Sequence, residues 1–187
     1  MDVILPIGGA PWVFDLTQVT DWTVPATTHG PQTQAFGLRP ATSTPVDIGG
    51  GRQLRVQDGG SVNCADLHLN AHGAGTHTEC IGHVSLEGRE IHTLQIPALL
   101  PATVLSVVPV RLGTTTDTYG GQSSPDDRVV PVAPLARAFS ELTRPGYDAA
   151  IVLRTREEDE PARCWSGQNP PYLTHEAMAF LAALPVQ

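Results

Sequence analysis

A chain of 187 residues, 41% of them hydrophobic and with a mean hydropathy near zero, is long enough for one globular domain with its own core. No run approaches the roughly 18 consecutive apolar residues of a membrane span. The net charge is −8 and lysine is absent. This excludes Schiff-base chemistry and removes nucleic acid and anionic membranes from the expected partners.

The opening residues, MDVILPIGGAPWVFD, carry an acid at Asp2 and no basic segment. They do not read as a secretory signal, and a cytoplasmic location is expected. The three cysteines, Cys64, Cys80 and Cys164, are an odd number and read as free thiols in a reducing compartment.

Seventeen prolines and 18 glycines break the chain into short elements. WVFDLT (Trp12–Thr17) alternates as a strand does. Pro25 to Gly60, rich in Thr, Pro and Gly, reads as a long irregular excursion of the kind that often forms a binding loop. VNCADLHL (Val62–Leu69) is a strand leading into a run of histidines. ATVLSVVPV (Ala102–Val110) and AAIVLRT (Ala149–Thr155) are apolar, β-branched strands, with GTTTDTYGGQSSPDD between them a loop.

Leu135, Phe139 and Leu142 predict an amphipathic helix with Pro134 near its start. Thr174 predicts an N-cap, with Glu176 in the first turn and Ala177, Phe180, Leu181 and Leu184 on one face. The acidic REEDEP (Arg156–Pro161) reads as a solvated turn. Strands and helices in this mixture predict an α/β or α+β domain around one sheet.

Five of the seven histidines lie between Leu67 and His92. Within this stretch His72, His77, Glu79 and His83 form the candidate site. In an extended segment His77 and Glu79, two apart, project to one side. Gly73, Gly75 and Gly82 let His72 and His83 fold in from either flank. Imidazole nitrogen with carboxylate oxygen suits Zn²⁺, Mn²⁺ and related ions, although the spacing is not that of a helical HExxH site. Thr76 and Thr78 are candidates for orienting the ligands by hydrogen bonds.

Any one of these histidines alone is more simply a polar loop residue or a hydrogen-bonded core residue. The four together favour a metal. His68 on the incoming strand and His92 after an acidic turn read as structural or surface residues. His29 reaches the site only if its loop folds over. Cys80 is a conceivable nucleophile beside the histidines, but alternation turns it away from His77 and Glu79, and it reads as structural.

The segment HGAGTHTECIGH resembles the signature of the cyclase-like metal-dependent hydrolases, which include bacterial kynurenine formamidases and isatin hydrolases. In that pattern, His-x-Gly-Thr-His-x-Asp-x-Pro-x-His, Gly75-Thr76-His77 matches the centre and His83 the final histidine. The first histidine is displaced by one, as His72. Glu79 stands where Asp is usual, and Ile81 replaces the proline. FDLT (Phe14–Thr17), GGSVNC, IVLRT and NPPYLTHEAMAFLA resemble flanking segments of the family, so the resemblance covers nearly the whole chain.

The resemblance implies a single α/β domain of the swivelling β/β/α type with a central mixed sheet, assembled as a homo-oligomer. It implies hydrolysis of a small amide, formamide or cyclic amide by a metal-activated water, with Zn or Mn as cofactor. His72, His77 and Glu79 would be metal ligands, Glu79 also bridging to a second ion held partly by His83. If left free of metal, His83 would be the acid–base group. Trp12, Trp22, Phe36 and Trp165 are candidate walls for a planar substrate, core packing being the simpler role.

Family members continue into a further strand and a segment with another His and Glu, for which His175 and Glu176 do not stand in. On that ground the expected ligand set is incomplete here. The alternatives are a metal-binding paralogue without catalysis and a small-molecule binding or dimerisation module.

Overall fold

Alternating side chains build the first two strands. In the computed structural model β1 (Asp2–Ile7) and β2 (Ala10–Asp15) form an antiparallel hairpin. Val3 faces Phe14 and Leu5 faces Trp12 on its half-buried side, while Ile4 and Val13 pair on the exposed side. The structure describes residues 2–7, 9–95, 97, 99–142, 150–155, 164 and 169–184. REEDEP and Trp165 therefore lie outside the described residues.

The chain divides into two compact units. One comprises Met1–Thr20, Gln95–Glu158 and Asn169–Gln187, the other Asp21–Leu94 and Asp159–Gln168. In the first unit β5 (Ala102–Val107) runs parallel to β8 (Ala150–Thr155). Thr103, Leu105 and Val107 point to the buried face of β5, as a period of two requires. The expected strand to Val110 breaks after Val107, because Pro109 has no N–H for a ladder. The chain re-enters a sheet only at β6 (Val110–Arg111). β6 is antiparallel to β7 (Arg128–Val130), which in turn is parallel to β9 (Tyr172–Leu173), making a small mixed sheet.

Two helices cover the core of this unit. In α2 (Val132–Ser140), Pro134 falls in the first turn, where its missing N–H costs no intrahelical bond. Leu135 is fully buried, and Phe139 and Leu142 pack on the same cluster. α3 (His175–Ala182) begins at the N-cap Thr174, whose hydroxyl accepts the Ala177 amide at 3.2 Å. Leu105, Val107, Val130, Leu135 and Ala177 make the core, with Ile151, Leu153, Phe180 and Leu181 packed around them. Phe139 and Phe180 meet edge to face, centroids 5.9 Å apart.

The starts of both helices share one acceptor. Asp117 Oδ2 accepts the Val132 amide at 2.7 Å and the Thr174 hydroxyl at 2.8 Å. One residue on, Thr118 donates its amide and its hydroxyl to the Glu176 carboxylate, each at 2.7 Å. Glu176 is thereby committed to a loop clamp at the start of α3.

The second unit carries β3 (Thr42–Pro45) antiparallel to β4 (Ala65–His68). The stretch read as irregular from Pro25 to Gly60 thus contributes a strand, and it also holds a 3-10 turn at Val56–Asp58. Its pairing continues beyond β3, with Val46 N–H donating to Cys64 O at 3.0 Å and Leu54 N–H to Val46 O at 2.9 Å. No local apolar periodicity marks this strand, which forms because its partner arrives from further along the chain, at Ala65–His68. The one-turn helix α1 (Ala71–Ala74) follows β4.

The described strands therefore form four small sheets, and with three helices the architecture is mixed α and β. Among the described residues, no helix is long and apolar enough to cross a membrane.

Candidate metal centre

The site begins at Asn70, where β4 gives way to α1. The Asn70 side chain accepts the His72 amide at 3.1 Å and starts the turn. Gly73 and Ala74 are its buried residues, and a Cβ on Gly73 would lie 3.1 Å from Leu38 Cβ. The small residue lets the helix seat closely, and His72 is left half-buried beside it.

The chain then passes close to the segment around Val24. A Cβ on Gly75 would stand 2.6 Å from Val24 O and 3.0 Å from Ala26 N, so only glycine fits. From here the extended backbone carries His77 and Glu79 on one side, as their spacing predicts. His77 Nε2 lies 2.9 Å from Glu79 Oε1, and His72 Nδ1 lies 2.5 Å from the same oxygen. One carboxylate oxygen is thus shared by two imidazoles that are five residues apart in sequence.

Hydrogen bonding fixes the His77 ring. Its Nδ1 lies 2.9 Å from Gly75 O, and since a carbonyl only accepts, Nδ1 carries the proton of that bond. Nε2 is then the nitrogen turned to the carboxylate. Without metal a proton on Nε2 satisfies Glu79, and the His77 pKa is raised, first by the Gly75 carbonyl and then by the Glu79 carboxylate. The Glu79 pKa is lowered, chiefly by its hydrogen bond from His77 and then by that from His72.

Ligand atoms of His72, His77 and Glu79 all lie within 4.8 Å of one another, a group that can hold a metal ion. Two nitrogens and one carboxylate oxygen suit Zn²⁺ or Mn²⁺. Nδ1–H···O=C anchoring of a ligating histidine is itself a common partner arrangement at metal sites. The residues fit a divalent cation.

His83 is not part of that group but lies against it. It closes a 3-10 turn at Ile81–His83 and stacks on His72, with centroids 4.3 Å apart and planes at 27°. The Cys80 thiol donates to Arg89 O at 2.8 Å. Gly82 is required there, since a Cβ would collide with the Arg89 backbone.

His29, His68, His92 and His175 lie outside the ligand-capable group. His68 ends β4 opposite Thr42, His92 pairs with Glu90 at 3.2 Å, and exposed His29 bonds Thr28 O at 2.6 Å. None belongs to the ligand group. Trp12 is half-buried in the first unit, whereas Trp22 and Phe36 of the second are exposed. The site itself is open, with His72, His77 and Glu79 side chains 36%, 27% and 42% exposed, which leaves room for a further ligand. A hollow of about 470 Å³ in the same unit is lined by residues 48–61 and contains none of the four site residues.

The partner of Thr76 escaped sequence reasoning. Thr76 N–H donates to Val24 O at 2.9 Å, and Val24 N–H donates to Thr76 Oγ1 at 2.8 Å. A backbone partner 52 residues away leaves no trace in composition. Asn70 could have been found, since Asn before a short helix is a common cap.

A sequence-family profile described as "Putative cyclase" matches residues 14–187. No curated protein and no solved structure matches the chain.

Proposed function

This chain belongs to the Cyclase family, and from that membership we propose that it is a metal-dependent hydrolase of a small amide, formamide or cyclic amide, of the kynurenine formamidase and isatin hydrolase kind. The observation that carries the proposal is the convergence of His72 and His77 on Glu79 Oε1. Three such residues with solvent access would hold a cation and leave it accessible to substrate, as catalytic sites require.

His72, His77 and Glu79 would hold Zn²⁺ or Mn²⁺. When bound, such a cation polarises a substrate carbonyl and lowers the pKa of a water towards neutrality. The chain's own residues do the rest. His77 is kept with Nε2 outward by its Nδ1–H bond to Gly75 O. Glu79 supplies the negative charge that the neutral imidazoles lack. His83, held against His72 outside the ligand group, is the acid–base candidate, its ring nitrogen passing a proton to the leaving nitrogen as the C–N bond breaks. In a variant of this reading, Glu79 and His83 would together help to hold a second divalent ion.

The proposal extends to a single swivelling β/β/α domain acting as a homo-oligomer in the cytoplasm on a small-molecule substrate. The test is direct. Chelator-treated protein is titrated with Zn²⁺ and Mn²⁺ and assayed on N-formylkynurenine, isatin and other cyclic amides. Metal-dependent turnover, lost at least about 100-fold in His77→Ala and Glu79→Ala, is the expected result. Failure to take up either ion overturns the metal reading. Uptake without turnover of any of these leaves a metal-binding paralogue.

A further inference from the structure

The peptide unit between Gly75 and Thr76 is held at both ends. Its carbonyl accepts the His77 Nδ1–H at 2.9 Å, and its N–H donates to Val24 O at 2.9 Å. A second bond, from Val24 N–H to Thr76 Oγ1 at 2.8 Å, closes a two-bond clasp between the ligand loop and Val24. The Gly75 Cα lies so near Val24 O that a Cβ there would sit 2.6 Å away, so the clasp has no slack on that side.

We infer that Thr76 is a positioning residue for His77, acting through this peptide with Val24 as its anchor. The inference rests on the reading of His77 as a metal ligand through Nε2. A single planar group links Val24 to the imidazole. Rotating that plane would swing the Gly75 carbonyl away from Nδ1 and release the ring. Donation from the Thr76 amide also polarises the peptide and makes the Gly75 carbonyl a stronger acceptor. The carbonyl selects the Nδ1–H tautomer, which leaves Nε2 as the lone-pair nitrogen. Thr76 Oγ1 accepts from Val24 N–H. Its role is to hold Val24 N–H, and through Val24 the orientation of the plane.

The test compares Thr76→Val, which keeps the shape and removes the acceptor, with Thr76→Ser, which keeps the acceptor. Isothermal titration with Zn²⁺ and with Mn²⁺ is expected to show roughly 10–100-fold weaker binding for Thr76→Val, the usual cost of losing a partner that orients a ligand. Thr76→Ser is expected to stay within about threefold of the wild type, on the same reasoning. Nitrogen-15 NMR of the metal-free protein at alkaline pH, where imidazoles are neutral, should show His77 as the Nδ1–H tautomer in wild type and Thr76→Ser, and a mixture in Thr76→Val.

Equal metal affinity in Thr76→Val overturns the inference, as does equal impairment of Val and Ser variants. If the wild type binds neither ion, the metal reading falls, and the tautomer comparison still decides the role of Thr76. Should Thr76→Val fail to fold, the wild-type spectrum alone suffices, because His77 as the Nε2–H tautomer contradicts the proposed anchoring.

Discussion

His83 lies stacked on His72, ring centroids 4.3 Å apart and planes 27° from parallel, while His72 turns its Nδ1 to Glu79 Oε1. The proposed function gives the two rings different roles, His72 as a metal ligand and His83 as the acid–base group. His77→Ala and Glu79→Ala are each expected to weaken Zn²⁺ binding by more than about 100-fold, since each would remove one of three proposed ligands. His83→Ala should weaken it by no more than about 10-fold and reduce turnover by roughly 10²–10⁴, the usual contribution of a general acid–base group. Titration calorimetry and turnover on the same samples check both. Loss of metal in His83→Ala equal to that in His77→Ala would place His83 among the ligands.

The pH response follows from the directions of two shifts. The Glu79 pKa is depressed below its ordinary 4.5, first by His77 and then by His72. Its contribution to stability is present above 4.5 and is lost as pH falls through the depressed value. The His77 pKa is raised above its ordinary 6.5, first by the Gly75 carbonyl and then by Glu79. Its contribution is present below 6.5 and is lost as pH rises through the raised value. Metal-free protein should therefore draw most from this pair between about pH 4.5 and 6.5. Metal binding takes the opposite sense at His77, because Nε2 must lose its proton. Zn²⁺ affinity should rise with pH above 6.5, with proton release visible in calorimetry across buffers of different ionisation enthalpy.

Cys80 distinguishes metal chemistry from thiol chemistry. Its thiol is turned to Arg89 O and not to an imidazole. Cys80→Ala should keep metal affinity and turnover within about threefold of the wild type, since a structural thiol supplies no nucleophile. A fall of 10²-fold or more with metal still bound would favour a Cys–His hydrolase.

Asp117 tests the joint between the two longer helices. Its Oδ2 serves both the Val132 amide and the hydroxyl of the fully buried Thr174. Asp117→Ala should cost about 2–3 kcal/mol in chemical denaturation, as expected when hydrogen bonds to a charged group are lost and their donors left unpaired. Asp117→Asn, which keeps one acceptor oxygen, should cost less. For scale, Leu135→Ala in the core of the same unit should cost about 2–5 kcal/mol.

Much of the local structure was legible from residues alone. Thr174 caps α3 because its hydroxyl is three residues from a free amide, a relation contained within one turn. Leu135, Phe139 and Leu142 bury together because helical spacing places them on one face. His77 and Glu79 share a side because extended backbone alternates. The strand β3 was not legible, since Thr42–Pro45 has no apolar alternation and depends on β4. The break at Pro109 was visible as a residue, but the β-branched run around it outweighed the missing N–H in a reading by pattern.

The sequence by itself determined which atoms are available to a metal and that two of them, on His77 and Glu79, face the same way. These follow from side-chain chemistry and backbone periodicity, which act over a few residues. Only the tertiary structure decided that His72 reaches the same Glu79 oxygen, that His83 stacks on His72, and that Val24 bonds the Gly75–Thr76 peptide from 52 residues away. Those contacts depend on where a one-turn helix and two distant backbone segments come to rest. Packing and hydrogen-bond satisfaction over the whole unit set that position, and no short stretch of sequence encodes it.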